Sequence, residues 1–246
     1  MKKFVLISGG KDSTATLLKV LEKDKNIEGI FCDTGWKHPY TYKYIKELEK
    51  FTKVKIHWIK NKDYQMVDII EKYLPNDRYR TCTTYLKELP TRKFLRQFKP
   101  KEILLYSGVR KEESSARSKR YKGLDENSVV ISSYSIKKQK IYEQYPIIDW
   151  SVEEVKAYIK EKGFYLNPLY DLGFDRVGCF PCICSSVEDI KKCYLIPEGK
   201  ENILKIYEKI KTQRNRLNKE AKNYQKIIDI IELNTLTKIY DKYKRI

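Results

Sequence analysis

A short apolar run that ends in two glycines and resumes as an amphipathic helix is compatible with few folds, and this chain opens with one. Phe4-Val5-Leu6-Ile7 leads into Ser8-Gly9-Gly10-Lys11-Asp12-Ser13-Thr14, and apolar residues at helical spacing continue to Leu21. The pattern predicts a first β-strand, a glycine turn and a helix start. Adjacent glycines permit positive φ and let the backbone approach a ligand closely. Asp12, Ser13 and Thr14 are good N-cap residues, and a helix N-terminus offers N–H groups and partial positive charge to an anion. Lys11 and the hydroxyls of Ser8 and Ser13 add donors for phosphate oxygens. The residue order excludes two familiar phosphate loops. A Walker loop places four residues between its first glycine and Gly-Lys-Ser/Thr, and a dinucleotide loop reads G-x-G-x-x-G.

The rest of the chain alternates in the same way. Ile27–Cys32, Val54–Ile59 and Ile103–Tyr106 read as further strands; Thr41–Phe51 and Tyr64–Tyr73 read as helices. Another helix opens at Arg80-Thr81-Cys82-Thr83 and runs toward Phe98, with Pro90 predicted to kink or break it. Strands alternating with helices, joined by right-handed crossovers, predict an α/β fold with a doubly wound parallel sheet. Asp33 then lies at the C-terminal end of a strand, where open α/β sheets bind their ligands. Gly108 to Lys122 lies just beyond another strand end and carries Arg110, Lys111, Arg117, Lys119, Arg120 and Lys122 against Glu112 and Glu113. Arginines there suit bidentate recognition of phosphate or sulfate. His57, within a strand, reads as a packed or exposed side chain before it reads as a catalyst. Ser151 caps a helix that runs to Lys162, and Gly163 closes it. From Gly199 the pattern is helical again, through Ile210 and from Ile227 to Leu236, with 13 Lys/Arg against 6 Asp/Glu up to Ile246.

Composition narrows the functional classes. A formal charge of +18 over 246 residues suggests a polyanionic partner, most economically a nucleic acid, although lysines on helix faces are commonly only solvated. No apolar run approaches the roughly 20 residues of a membrane span, and the first apolar stretch is too short for a secretory signal. The chain is therefore read as cytoplasmic, with no membrane partner. Of six cysteines, Cys32 and Cys82 stand apart, and Cys179, Cys182, Cys184 and Cys193 fall within 15 residues. In a cytoplasmic chain such clustering suggests metal ligation before disulfides. Cys179-Phe180-Pro181-Cys182, Cys193 and the remote Cys82 compose a four-coordinate set. Zinc and a [4Fe-4S] cluster both take four thiolates, and the spacing leaves the two open. A metal-free redox C-x-x-C is a third reading, disfavoured by the additional cysteines.

The loop resembles that of the PP-loop, or N-type, ATP pyrophosphatases, which cleave ATP between the α- and β-phosphates. Across residues 4 to 195 the chain resembles the phosphoadenosine phosphosulfate (PAPS) reductase family. The resemblance rests on Ser8 to Ser13, Asp33-Thr34-Gly35, Arg80-Thr81-Cys82-Thr83 with Leu86-Lys87 and Pro90, and Gly108-Val109-Arg110 with Glu112-Glu113-Ser114 and Arg117. It continues with Pro146, Asp149-Trp150-Ser151, Asn167-Pro168-Leu169-Tyr170, and Arg176-Val177-Gly178-Cys179 with Cys182. It implies a Rossmann-like adenine-nucleotide α-hydrolase (HUP) fold that binds ATP and Mg2+. The phosphates would lie on Ser8, Gly9, Gly10, Lys11, Asp12 and Ser13, the adenosine near Asp33, and Gly108, Arg110 and Arg117 would contribute to the nucleotide site. Lys11, Asp12 and Ser13 are the implied catalytic residues.

Within the family, the single Cys82 followed by a C-x-x-C and a further cysteine is most similar to the sulfur-transfer ATPase of DNA phosphorothioation systems. The implied ligands of a [4Fe-4S] cluster are Cys82, Cys179, Cys182 and Cys193, with Cys184 an alternative to Cys193. The reductases' C-terminal Glu-Cys-Gly-like tail has no counterpart after Cys193, and the adjacent Cys-Cys pairs of iron–sulfur adenylylsulfate reductases have none either. The implied reaction is adenylylation of DNA or tRNA followed by sulfur incorporation, with a sulfur donor such as a cysteine desulfurase. Alternatives are tRNA thiolation, reduction of PAPS or adenylylsulfate, and a zinc-containing nucleic-acid-binding protein without catalysis. The expected organisation is a nucleotide-binding α/β domain over 1–175, a cysteine-rich segment over 176–198 and a basic helical extension over 199–246.

Overall fold

The computed structural model describes residues 1–76, 78–98, 102–211 and 224–233. In chain order the elements are β1 (Lys2–Ile7), α1 (Lys11–Lys23), β2 (Glu28–Asp33), α2 (Pro39–Thr52), β3 (Ile56–Lys60), α3 (Met66–Tyr73) and a short α4 (Thr81–Thr83). A π-helical turn (Thr84–Glu88), α5 (Leu89–Leu95), β4 (Glu102–Tyr106), a 3₁₀ turn (Lys111–Glu113), α6 (Ser115–Arg120), β5 (Val129–Ile131), β6 (Lys140–Gln144) and α7 (Val152–Glu161) follow. Then come α8 (Val187–Leu195), α9 (Pro197–Lys211) and α10, over 224–233. These elements fall into two compact units.

The first unit comprises Met1–Asp33, Pro39–Lys60 and Glu88–Gly178 and contains the sheet. Its strand order is β3-β2-β1-β4-β6-β5, parallel throughout except for β5, which runs antiparallel to β6 at the edge. A parallel sheet must be covered on both faces, so its central strands alternate between two apolar cores. On one face Val5, Ile7 and Phe31 pack with Leu17 and Leu18 of α1, Leu48 of α2, and Val155 and Ile159 of α7. On the other, Phe4, Ile30, Ile103, Leu105 and Ile141 pack with Leu95 of α5. This is the doubly wound α/β architecture expected. The Ser151 cap is present as a reciprocal box: Ser151 Oγ accepts from Glu154 N–H at 3.1 Å, and the Glu154 carboxylate accepts from Ser151 N–H at 2.6 Å.

The second unit comprises Thr34–His38, Asn61–Lys87 and the described residues from Cys179 onward, and it is helical. Here α8 packs on α9, and α3 packs on α4 and α9.

Pro90 marks a break and a new start: a π-helical turn ends at Glu88, and Pro90 falls in the first turn of α5, which stops at Leu95, short of Phe98. Strands β5 and β6 add an edge to the sheet that apolar patterning does not announce. The C-terminal expectation falls partly on 212–223 and 234–246, including Leu236, outside the described residues. Among the described residues no helix is long and apolar enough to cross a membrane.

Candidate functional site

The first unit builds its site where β1 ends. Gly9 has φ of +83°, which its neighbours would deny to a side chain: a Cβ there would stand 2.6 Å from Thr41 Cγ2. Gly10 is the extended N-cap of α1 and brings no capping side chain; its own N–H donates to Ser8 Oγ at 3.3 Å. Two hydroxyls brace the loop across its mouth. Ser13 Oγ accepts from Ser8 N–H at 3.1 Å and donates to the Gly10 carbonyl at 3.0 Å, and the two serine oxygens are 3.0 Å apart. The loop is thereby shaped before any ligand arrives.

The remaining expected residues take distinct positions around it. Gly108, just past β4, backs onto the start of α1: a Cβ there would meet the Asp12 carbonyl at 2.8 Å and Ser13 N at 2.9 Å. Arg110 is 2% exposed; its Nε donates to Asp12 Oδ1 at 2.6 Å, and its Nη1 to Glu112 at 2.7 Å and the Trp150 carbonyl at 3.1 Å. Arg110 therefore acts on the loop through Asp12. Lys11, also buried, lies 3.5 Å from the other Asp12 oxygen. Arg117 forms an ion pair with Glu113 on the same stretch. Asp33, at the end of β2, accepts from the Tyr42 hydroxyl at 2.7 Å.

Two residues that the resemblance includes without a role belong to this site. The Tyr170 hydroxyl accepts from Lys11 N–H at 3.0 Å, and the Lys11 ammonium stands 5.4 Å from the Tyr170 ring centroid. Burial raises the Tyr170 phenol to about 12, so it stays protonated at neutral pH. Asn167, fully buried, donates to the Gly9 carbonyl at 3.0 Å. The stretch Asn167-Pro168-Leu169-Tyr170 is visible in the sequence, but its partnership with Gly9 and Lys11, 158 and 159 residues away, is not.

The second unit gathers the thiols. Cys82 is the second residue of α4, Cys179, Cys182 and Cys184 lie in the turn region before α8, and Cys193 sits on α8; none of them is in a disulfide. They share a local field. A hydrogen bond from Cys184 lowers the Cys182 thiol to about 5, with the charges of Lys87 and Arg80 adding to the effect. Burial raises Cys82, and the nearby Cys179 and Cys182 raise it further. Burial likewise raises Cys193 to about 12. The Thr34 hydroxyl stands 3.9 Å from Cys179 Sγ, and Phe180 N–H donates to the Trp36 carbonyl at 2.7 Å.

The donors are of the type that a thiolate-bound metal group takes. Soft thiolates suit zinc and iron–sulfur clusters alike. Two buried donors of this unit, Trp36 Nε1–H and Thr81 Oγ1–H, have no hydrogen-bond partner. Thr81 precedes Cys82, and Trp36 is tied to the residue after Cys179. Among the described residues, no three His, Cys, Asp or Glu side chains stand close enough together to hold one metal ion.

Comparison with known proteins agrees with this fold. The model of the phosphoadenosine phosphosulfate reductase domain family matches residues 2–185. An uncharacterized protein of Methanocaldococcus jannaschii is 33% identical over 210 residues, which cover 82% of this chain and 41% of that protein. The adenosine 5'-phosphosulfate reductase of Oceanobacillus iheyensis is 27% identical over 190 residues, covering 74% of this chain and 71% of that one. The crystal structure of the PAPS reductase from Candida auris, a phosphate complex, shares the fold with a TM-score of 0.55 at 21% identity, over 73% of this chain and 81% of that one. The chain spans 41% and 44% of the length of the two Methanocaldococcus relatives. It belongs to the phosphoadenosine phosphosulfate reductase domain family.

Proposed function

We propose that this family member is an ATP pyrophosphatase-type enzyme that activates a nucleic-acid substrate by adenylylation so that sulfur can be incorporated. The observation that carries the reading is the pairing, in one chain, of a pre-shaped anion cradle at Ser8–Ser13 with a set of mutually interacting thiols. The charge of +18 supports a polyanionic substrate. In the first step a nucleophilic oxygen of the substrate attacks the α-phosphorus of ATP. The new P–O bond forms as the bond to the bridging oxygen breaks, and pyrophosphate leaves with that electron pair. Lys11 and the N–H groups at the start of α1 meet the developing charge, while Arg110 holds Asp12 and the loop in place. In the second step a sulfur nucleophile from a donor such as a cysteine desulfurase attacks the activated centre, and AMP leaves with the electrons of the bond it breaks. Mg2+, bound with ATP, would supply charge neutralisation, and Cys82, Cys179, Cys182 and Cys193 or Cys184 would hold a [4Fe-4S] cluster that would supply a site for sulfur.

Two measurements test the reading. Pyrophosphate release from ATP should rise with added nucleic acid and fall by about a hundredfold or more in Ser13→Ala; full activity in that variant removes the loop from the mechanism. Iron and acid-labile sulfide, assayed anaerobically, should accompany the protein, whereas stoichiometric zinc without pyrophosphate release would favour the non-catalytic alternative. Mass spectrometry of nucleic acid from cells with and without the gene then separates a phosphorothioate linkage from a thiolated tRNA base. The match to adenosine 5'-phosphosulfate reductase favours a second reading, reduction of an activated sulfate. Sulfite release from adenosine 5'-phosphosulfate would establish it.

A further inference from the structure

The segment joining α3 to α4 exposes side chains that the proposed reaction leaves unused. Leu74 closes α3 in the left-handed conformation, with φ of +44°. The next carbonyl, that of Pro75, accepts from the buried Tyr224 hydroxyl of α10 at 2.9 Å. The Asn76 side-chain oxygen accepts from Arg78 N–H at 2.9 Å and Tyr79 N–H at 2.8 Å, and Asn76 N–H donates to the Tyr79 carbonyl at 3.1 Å. On the far side the Arg80 carbonyl accepts from Thr83 N–H at 2.8 Å, starting the helix that carries Cys82. The turn is thus fixed at its base and on both flanks.

What it holds outward is Arg78, Tyr79 and Arg80, all exposed, with Tyr79 at 59%. Among the described residues no carboxylate pairs with either guanidinium; Asp77 lies outside them. A single exposed aromatic is ordinary. One carried on a fixed turn between two arginines has the composition of a nucleotide contact, because every base offers a π-face to stack on and each base is flanked by phosphates. Arg80 is the N-cap of α4, whose second residue is Cys82, so the turn leads directly into an element that carries one of the thiols.

We propose that Arg78-Tyr79-Arg80 receives an unpaired nucleotide of the substrate strand, Tyr79 stacking on its base and the arginines holding the adjoining phosphates. This rests on reading the protein as an enzyme of nucleic acid, and it specifies the substrate: a single-stranded or looped segment, since the base faces of a duplex are already stacked.

The test is binding without ATP. The full chain, purified anaerobically, is titrated with a fluorescein-labelled single strand of about 20 nucleotides, long enough for one binding surface. DNA and RNA versions and the matching duplexes are compared. Tyr79→Ala should weaken single-strand binding about tenfold or more, and Tyr79→Phe should retain it. Arg78→Gln should lower the slope of log affinity against log salt by about 0.7, the share of one single-strand phosphate. The DNA and RNA arms decide which strand is preferred. Wild-type affinity in Tyr79→Ala, failure of the wild type to bind single strands, or tighter binding of duplex overturns the proposal. Ser13→Ala should bind strands normally while losing pyrophosphate release. Tyr79-dependent binding without any pyrophosphate release would therefore refute the reaction and leave the contact standing.

Discussion

The guanidinium of Arg110 donates to Asp12, Glu112 and the Trp150 carbonyl from a position almost sealed from water. Such a group works by fixing its partners, because its charge is already met. Removing one side of a buried pair leaves the other uncompensated, at a cost of about 3 kcal/mol. Arg110→Met should therefore lower the urea midpoint accordingly and weaken ATP binding with it. Arg110→Lys should rescue little, since an ammonium lacks the planar fork that reaches three acceptors. Unchanged stability in Arg110→Met would show that Asp12 holds the loop without it. The same residue marks a limit of sequence reading. Lys11, Asp12 and Ser13 are legible because they are contiguous with the glycines that shape their loop. Whether an arginine 98 positions further on faces a ligand or a carboxylate is a tertiary fact, and the pattern Gly108-Val109-Arg110 contains both answers. Tyr170, 159 residues from Lys11, is hidden for the same reason.

At the scale of elements, β1 and α1 are written plainly in period and punctuation, and so are β2, α2, β3 and α7. Strand β6 is not, because Lys140-Ile141-Tyr142-Glu143-Gln144 buries only Ile141 fully and reads as a polar stretch. The edge strand β5 has three residues and two exposed side chains, too short for alternation to register. The π-helical turn before Pro90 is equally silent, since the proline signals a break but not the kind of turn that precedes it. The junction of α8 and α9 is a more consequential case. Gly199, in the first turn of α9, faces the carbonyl of Cys193 so closely that a Cβ would collide with it, and would also come within 2.8 Å of the Phe180 ring. Because the obstacle is backbone, one of the two helices must shift. Gly199→Ala should cost about 1–3 kcal/mol in urea unfolding and lower the metal content of anaerobically purified protein, with Lys200→Ala as an unaffected control. Wild-type stability in Gly199→Ala would mean that the junction yields at no cost. Equal metal content at reduced stability would point to Cys184 in place of Cys193.

For the whole molecule, the excess of 51 Lys and Arg over 33 Asp and Glu makes each carboxylate matter more than it would in a neutral protein. The charge was legible from composition; which acids carry stability was not, because that depends on partners brought together by the sheet and its helices. Lys162 and the Tyr158 hydroxyl hold Glu22 below the usual carboxylate range, and Lys3 does the same for Asp24. Burial alone would raise Glu28, but Lys2 and His57 together pull it lower. A carboxyl whose folded pKa is depressed contributes stability that is complete above its unfolded value, near 4, and is lost as pH falls through the folded value. Protonating these acids also removes negative charge from a chain already at +18, so self-repulsion grows over the same interval. The urea midpoint should therefore hold level from neutral pH down to about 5 and fall steeply between about 4 and 2. Lys162→Met, which removes a partner of Glu22, should shallow that fall and lower the plateau slightly, as expected for a pair largely open to solvent. A midpoint that rose on acidification would show that these carboxylates are better paired in the unfolded chain than in the folded one.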